Sequence, residues 1–387
     1  MSKNRTENSK EMSTERKAID FIDLKTQQKR IRASLEKRIH NVMDHGAYIM
    51  GPEISELEAA LAKHVGVKHC VTCSSGTDAL LMPLIAYGLG PGDVVFTTPF
   101  TFIATAEVVA LLGATAVFVD IDPKTYNIDP QKLEEAIQKF QKNKSGKKAK
   151  GIIPVDLFGQ TADYDFIEAI GKKHGLFVLQ DAAQSFGATY KGKKAGASGD
   201  IGATSFFPAK PLGCYGDGGA IFSNDDTMTE KLRSIRVHGQ GSDKYNNIRI
   251  GINGRLDSMQ AAVLLAKLEI FEEEITLRNN VAQRYSARLK DHVVTPFVQK
   301  DCVSVWAQYS LLTDRRDEML KKLKSNGVPT AVYYPKPLHM QDAFAGLGYK
   351  RGDFPVSERI ADSIFSIPMH PYLGYEDQDY IVDAIIR

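Results

Sequence analysis

Residues 151–185 read GIIPVDLFGQTADYDFIEAIGKKHGLFVLQDAAQS, and they hold one complete strand–helix–strand unit. Apolar runs at 151–155 and 176–180 have strand length, and 162–174 between them has helical spacing. Strands joined through a helix lie parallel, because parallel neighbours need a long crossover. The second run ends on a carboxylate, Asp181. Outward from this unit the pattern repeats. Further buried-strand runs fall at 94–98, 115–119, 202–207 and 219–223, with helical patterns at 77–88, 102–112 and 130–141. Such alternation predicts an α/β fold with a mostly parallel sheet covered on both faces. Ahead of it, Gln27 to His45 and the stretch after Gly51-Pro52 read as two helices.

Behind the alternating region a long helical stretch runs from about 256 to 290. Beyond it come shorter elements and prolines at 329, 335, 337, 355, 368 and 371. The expected organisation is a flexible polar tail (1–18), a large domain (19–270) and a smaller C-terminal α/β domain (271–387). The boundary then falls inside the long helix, and no internal repeat is evident.

The 387 residues are 43% hydrophobic and 25% charged, with a formal net charge of +2. That balance gives no electrostatic footprint for nucleic acid. The run KNKSGKKAK at 142–150 lacks interleaved aromatics and reads as a solvated loop. No apolar run reaches the ~18–20 residues that cross a bilayer, and the polar start is no signal peptide. Four cysteines form no disulfide framework, so the expected compartment is the cytoplasm. Cys70 and Cys73 make a CxxC, which as a redox pair would open a helix. Here it lies in a β-forming run and reads as two buried thiols. No metal site is visible.

Three segments fall at the C-terminal ends of expected strands, the edge where open α/β sheets bind ligands. SSGTDAL at 74–80 is a small-residue turn opening a helix, suited to a phosphate or simply to capping. The strand at 177–181 ends in Asp181, which either caps the next helix or faces a cationic nitrogen such as a pyridinium. TSFFPAKPLGCYGDGGA at 204–220 places Lys210 in an apolar, turn-rich setting, where desolvation favours a neutral, nucleophilic amine. Its GDGGA lacks the order of a dinucleotide loop and precedes a strand, not a helix.

In that order, SSGTDAL, QDAAQSFGA and SFFPAKPLGCYGDGGAIFSND resemble the DegT/DnrJ/EryC1/StrS sugar aminotransferases, from about residue 19 to the C-terminus. The resemblance implies the fold of aspartate aminotransferase (fold type I), pyridoxal 5'-phosphate (PLP) as cofactor, and a homodimer with shared active sites. It implies that Lys210 carries the cofactor and that Asp181 pairs with its ring nitrogen. Gln184 would lie near the ring's phenolic oxygen, with Gly76, Thr77 and Ser205 at the phosphate and Phe102 stacked on the ring. Asn253 would reach the phosphate in the neighbouring subunit, and Arg255, Tyr333 and Tyr334 would face substrate.

Within the family, FIDLKTQQKRI, HGAYIMGPEISELE, RLDSMQAAVLLAKLEIFEEEI and SIPMHPYL resemble the subgroup that aminates UDP-2-acetamido-2-deoxy-3-oxo-glucuronate. Glutamate is the implied donor and surface polysaccharide (O-antigen) the implied destination. This chain departs from that subgroup at Tyr333, where the subgroup carries His; tyrosine keeps a polar tip and no positive charge. The alternatives are a dTDP-linked 3- or 4-keto-6-deoxyhexose as acceptor and, more distantly, a regulatory binding protein. A dehydratase on the same scaffold would carry His in place of Lys210.

Overall fold

The computed structural model describes residues 18–143, 146–243 and 245–387. The expected tail, save Ala18, and Lys144 and Ser145 of the basic run lie outside the described residues.

The described residues form twelve strands in chain order: β1 His69–Cys73, β2 Asp93–Thr97, β3 Thr115–Phe118, β4 Lys148–Ile153, β5 Phe177–Asp181 and β6 Thr189–Tyr190; then β7 Lys193–Lys194, β8 Ile201–Ser205, β9 Gly219–Ser223, β10 Cys302–Val303, β11 Tyr309–Leu312 and β12 Ile364–Ile367. Seven build the main sheet in the order β1-β9-β8-β5-β4-β2-β3. From β8 to β3 all pairs are parallel, as the alternation predicts; β9 alone runs antiparallel, to both β8 and β1. Strand β1 is therefore parallel to β8, and the C-terminal ends of β1, β2, β4, β5 and β8 share one edge.

The helices preceding and within this sheet are α1 Leu24–His45, α2 Pro52–Val65, α3 Gly76–Ala86, α4 Ala104–Leu111, α5 Pro130–Lys142, α6 Tyr164–His174 and α7 Asp226–Ile235. Local chemistry sets their ends. Asp23 caps α1 through Thr26 N (2.8 Å) and Gly46 closes it at φ 68°. Asp129 caps α5, with Pro130 in its first turn. One core lies between the sheet and α3, α4 and α7, around Leu80, Val109, Leu179 and Leu232. Another lies on the opposite side under α2, around Leu57, Leu61 and Phe222. Each such side chain contributes ~1.5–3 kcal/mol on full burial.

The two thiols of β1 confirm the structural reading. Three positions apart on a strand, they point to opposite faces: Cys73 joins the first core and Cys70 the second. Burial raises the pKa of both, the opposite of what a reactive pair needs.

The long helical stretch is two helices, not one: α8 Ser258–Leu268 and α9 Phe271–Leu289, broken at Glu269 and Ile270. Ile270 leaves helical geometry (φ −113°, ψ 1°), so α9 starts in a new direction. After α9 come α10 Arg316–Ser325, α11 Pro355–Ser363 and α12 Tyr375–Ile386. With the antiparallel pair β11/β12 they enclose a core of their own around Tyr285, Tyr309, Phe365 and Ile381. Asp120, just past β3, ties this unit to the sheet. Its carboxylate accepts from Val356 N (3.0 Å), Ser357 N (2.9 Å) and Ser357 Oγ (2.6 Å) at the start of α11.

Candidate active site

The shared C-terminal edge and the start of β11 enclose a cavity of about 470 Å³. Nine of the eleven residues singled out from the sequence line it: Gly76, Thr77, Phe102, Asp181, Gln184, Ser205, Lys210, Tyr333 and Tyr334. They come from segments up to some 250 positions apart, which the sheet and the C-terminal unit bring together.

One wall is the turn from β1 into α3. Ser75 caps the helix by accepting from Asp78 N (3.0 Å), so the first amides, at Gly76 and Thr77, have no partner within the helix. The end of β8 closes tightly on this turn: a Cβ at Gly76 would lie 2.5 Å from the Ser205 Cβ and 2.9 Å from its Oγ. Gly219, opening β9, is similarly constrained, since its Cβ would meet the Ser75 carbonyl oxygen at 2.3 Å. Helix-terminal amides beside two hydroxyls, packed this closely, make an anion cradle.

Asp181 ends β5 and is buried. Its Oδ2 accepts from Thr105 Oγ1 (2.8 Å) and its Oδ1 from Ala183 N (3.2 Å). The bond to Ala183 is a local cap; the bond to Thr105, on α4, is not local and fixes the carboxylate toward the cavity. Burial raises its pKa, and the two donors and Lys210 oppose that shift. Lys210 sits in the turn after β8, where its N–H donates to Phe207 O (2.8 Å). Burial lowers its pKa and the Asp181 carboxylate opposes. A cation seated between them would repay Asp181 for its desolvation.

Gln184 Oε1 accepts from Phe158 N (2.9 Å), and its Nε2 donates to the Tyr334 hydroxyl (3.0 Å). Burial raises the Tyr334 pKa, so this phenol stays neutral. Phe102 is 55% exposed, with its ring 6.4 Å from that of Tyr334. A core aromatic would be covered; this one is exposed where it lines the cavity.

Behind Asp181 lies a fully buried carboxyl that the sequence did not single out. Asp156 Oδ1 accepts from Ala162 N (2.9 Å) and Tyr164 OH (2.9 Å), and Oδ2 from Gln180 Nε2 (2.7 Å) and Ser185 Oγ (2.8 Å). Its own N–H donates to Asp181 O (3.0 Å), so it braces the strand end on which Asp181 and Gln184 stand. Burial pushes its pKa up to about 7, against those four donors.

Asn253 and Arg255 do not line the cavity of their own chain. They flank Gly254, whose carbonyl accepts from Ser74 N (3.1 Å); Asn253 is exposed, and Arg255 is half-buried with no partner for its Nε. Among the described residues no cluster of metal-ligating side chains occurs, and no helix is long and apolar enough to cross a membrane.

With this geometry in place, the comparison with known proteins is direct. Residues 29–386 match the DegT/DnrJ/EryC1/StrS aminotransferase family. The chain belongs to that family. It is 53% identical over 356 residues to UDP-2-acetamido-2-deoxy-3-oxo-D-glucuronate aminotransferase of Pseudomonas aeruginosa, covering 92% of this chain and 96% of that protein. It is 44% identical over 371 residues to a protein of Geobacillus stearothermophilus named pleiotropic regulatory protein, covering 95% and 97%. A crystal structure of a family aminotransferase from Brucella abortus superposes with a TM-score of 0.92 at 50% identity, covering 95% of this chain and 98% of the other. The family members share the fold type I architecture, with its mostly parallel central sheet.

Proposed function

We propose that this chain uses PLP to transfer an amino group from glutamate to the keto carbon of a UDP-linked 3-keto sugar, UDP-2-acetamido-2-deoxy-3-oxo-glucuronate. The observation that carries the reading is the convergence of Lys210 and Asp181 on one cavity, opposite the Gly76–Ser205 cradle. The 53% identity to an enzyme named for that acceptor supports the choice of sugar.

The residues present fit PLP. The α3 amides and the Thr77 and Ser205 hydroxyls would hold its phosphate, Asp181 the protonated ring nitrogen, Gln184 the phenolic oxygen and Phe102 the ring face. When bound, the cofactor supplies an electron sink for negative charge at the carbon bearing the amine. Asp181 would maintain that sink by holding a proton on the ring nitrogen, and the bond from Thr105 favours the charged form of Asp181. Lys210 anchors the cofactor between turnovers. Its freed Nζ then takes the proton from the donor's α-carbon, and in the second half-reaction it delivers a proton to the sugar carbon that receives nitrogen. Burial serves both tasks, since only the neutral amine can be nucleophile and base.

Both substrates are anionic, yet the cavity lining offers acids at Asp181 and Asp217 and a single basic side chain, Lys210, among the described residues. The missing positive charge and the position of Arg255 and Asn253 outside their own cavity support a homodimer in which each copy completes the other's site. The reaction belongs in the cytoplasm, where nucleotide sugars for surface polysaccharide are made.

The test is a visible absorption spectrum of purified protein before and after glutamate, then the 3-keto sugar. The expected course is a lysine-bound cofactor band that glutamate bleaches and the sugar restores. Restoration only by a dTDP-linked keto sugar would replace the acceptor. No band with added PLP would overturn the proposal and revive a regulatory role. Lys210→Ala should bind the cofactor without that band and show no turnover.

A further inference from the structure

The C-terminal unit contributes three residues to the cavity wall: Gln308, at the entry to β11, and Tyr333 and Tyr334. The hydroxyl of Tyr334 is already engaged by Gln184. Gln308 is not engaged. Its side-chain oxygen is buried and accepts no hydrogen bond, and among the described residues no other cavity-lining side chain has a buried polar atom in that condition. Turning the amide over would put an N–H in the same place, so either orientation leaves a polar end unsatisfied. Burial without a partner forfeits the bond that water would have made.

Among the described residues no side chain behind Gln308 bonds to it. Gln308 also borders a narrow cleft of about 20 Å³ and, among the described residues, is the only one that cleft shares with the cavity. Most polar groups around the cleft are committed elsewhere, Trp306 Nε1 to Asn279 Oδ1 (2.9 Å), Ser310 Oγ to Ser366 Oγ (2.9 Å) and Gln160 Nε2 to Phe297 O (2.8 Å), while the Tyr126 hydroxyl borders the cleft without a partner among the described residues. The volume admits about one water at most. Gln308 is thus a partition with aromatic walls behind it and the cavity in front.

We propose that Gln308 is a specificity residue of the sugar site, binding a hydroxyl group of the pyranose. A hydroxyl serves either end of the amide, donating to the oxygen or accepting from the nitrogen, whereas a carboxylate has no proton to give. The inference rests on the reading of the cavity as a sugar aminotransferase site. It adds a residue on the C-terminal side that acts on the sugar and leaves the lysine chemistry alone.

The experiment compares wild type with Gln308→Met, which keeps length and loses both polar ends, and with Gln308→Asn, which keeps the amide and withdraws it by one methylene. Three quantities are read: cofactor-band loss with glutamate, band gain when enzyme loaded with pyridoxamine phosphate meets the 3-keto sugar, and calorimetric affinity of that loaded enzyme for the 3-amino product. The expected result for both variants is a selective loss. Sugar half-reaction and product affinity fall by about 5–100-fold, the range for leaving one buried hydroxyl unpaired, while the glutamate half-reaction stays within about 2-fold. Equal losses in both half-reactions would show a structural role and overturn the proposal. Unchanged sugar binding would also overturn it, by showing that a water in the cleft serves the amide. A wild-type protein without any cofactor band fails differently, sinking the reading beneath.

Discussion

Gly76→Ala is the sharpest probe of the cradle. The added methyl carbon would stand 2.5 Å from the Ser205 Cβ, 2.9 Å from its Oγ and 3.2 Å from its Cα. Carbon atoms in ordinary contact lie about 3.5–4.0 Å apart, so the turn must retreat from β8 by about 1 Å. Overpacking of this kind costs about 1–3 kcal/mol. The same retreat displaces the α3 amides, and PLP affinity should fall by about tenfold or more. Ser205→Gly removes the two closest atoms and leaves only the contact at 3.2 Å. In urea unfolding of the apoprotein at fixed protein concentration, the double variant should be more stable than the sum of the single changes predicts. The expected coupling is about 1–2 kcal/mol, within the range for residues in contact. Cofactor affinity should not recover, because the hydroxyl is lost with the clash. Stability effects that add to within about 0.3 kcal/mol would refute the steric argument, whatever happens to binding.

Two further outcomes follow from the carboxylates. Thr105→Val removes a donor that holds the Asp181 pKa down. Without that bond the charged form loses support, so the acid limb of the kcat/KM profile should move to higher pH; an unmoved limb would detach Asp181 from it. Asp156 has its pKa raised to about 7, against about 3.9 in an unfolded chain. Its contribution is therefore fully present below about pH 4 and lost as pH rises through about 7. The stability of wild type minus that of Asp156→Asn should decline across that window. A flat difference would mean the four donors hold the carboxylate ionised throughout.

Much of this site is legible because its residues are anomalies in their runs. An apolar strand ending on Asp181, a lysine among Phe, Pro and Ala, and a small-residue turn before a helix each violate a local expectation. What escaped has no such mark. Thr105 sits inside a helix of small residues, and only the fold turns its hydroxyl on Asp181. Gln308 precedes an apolar run as polar residues commonly do, and its lack of a partner is a property of three dimensions. Asp156 lies just beyond the run at 151–155, where a loop carboxylate draws no notice; its four donors come from two later stretches, 162–164 and 180–185. Strand direction was equally silent. The run at 219–223 looks like its neighbours, although it enters the sheet reversed. The break at Glu269 and Ile270 carries neither Gly nor Pro, so periodicity passed straight through it.

The reversed strand also sets a timetable for biosynthesis. At the sheet margin β1 has one neighbour, β9, and their register pairs His69 with Ser223 and Cys73 with Gly219. A ribosome adding about 5–20 residues each second delivers that neighbour roughly 8–30 s after β1 itself. Through that interval an apolar segment with two thiols has no sheet partner, and the turn it carries has no wall to close on. The nascent chain is therefore most open to miscapture or oxidation midway through translation.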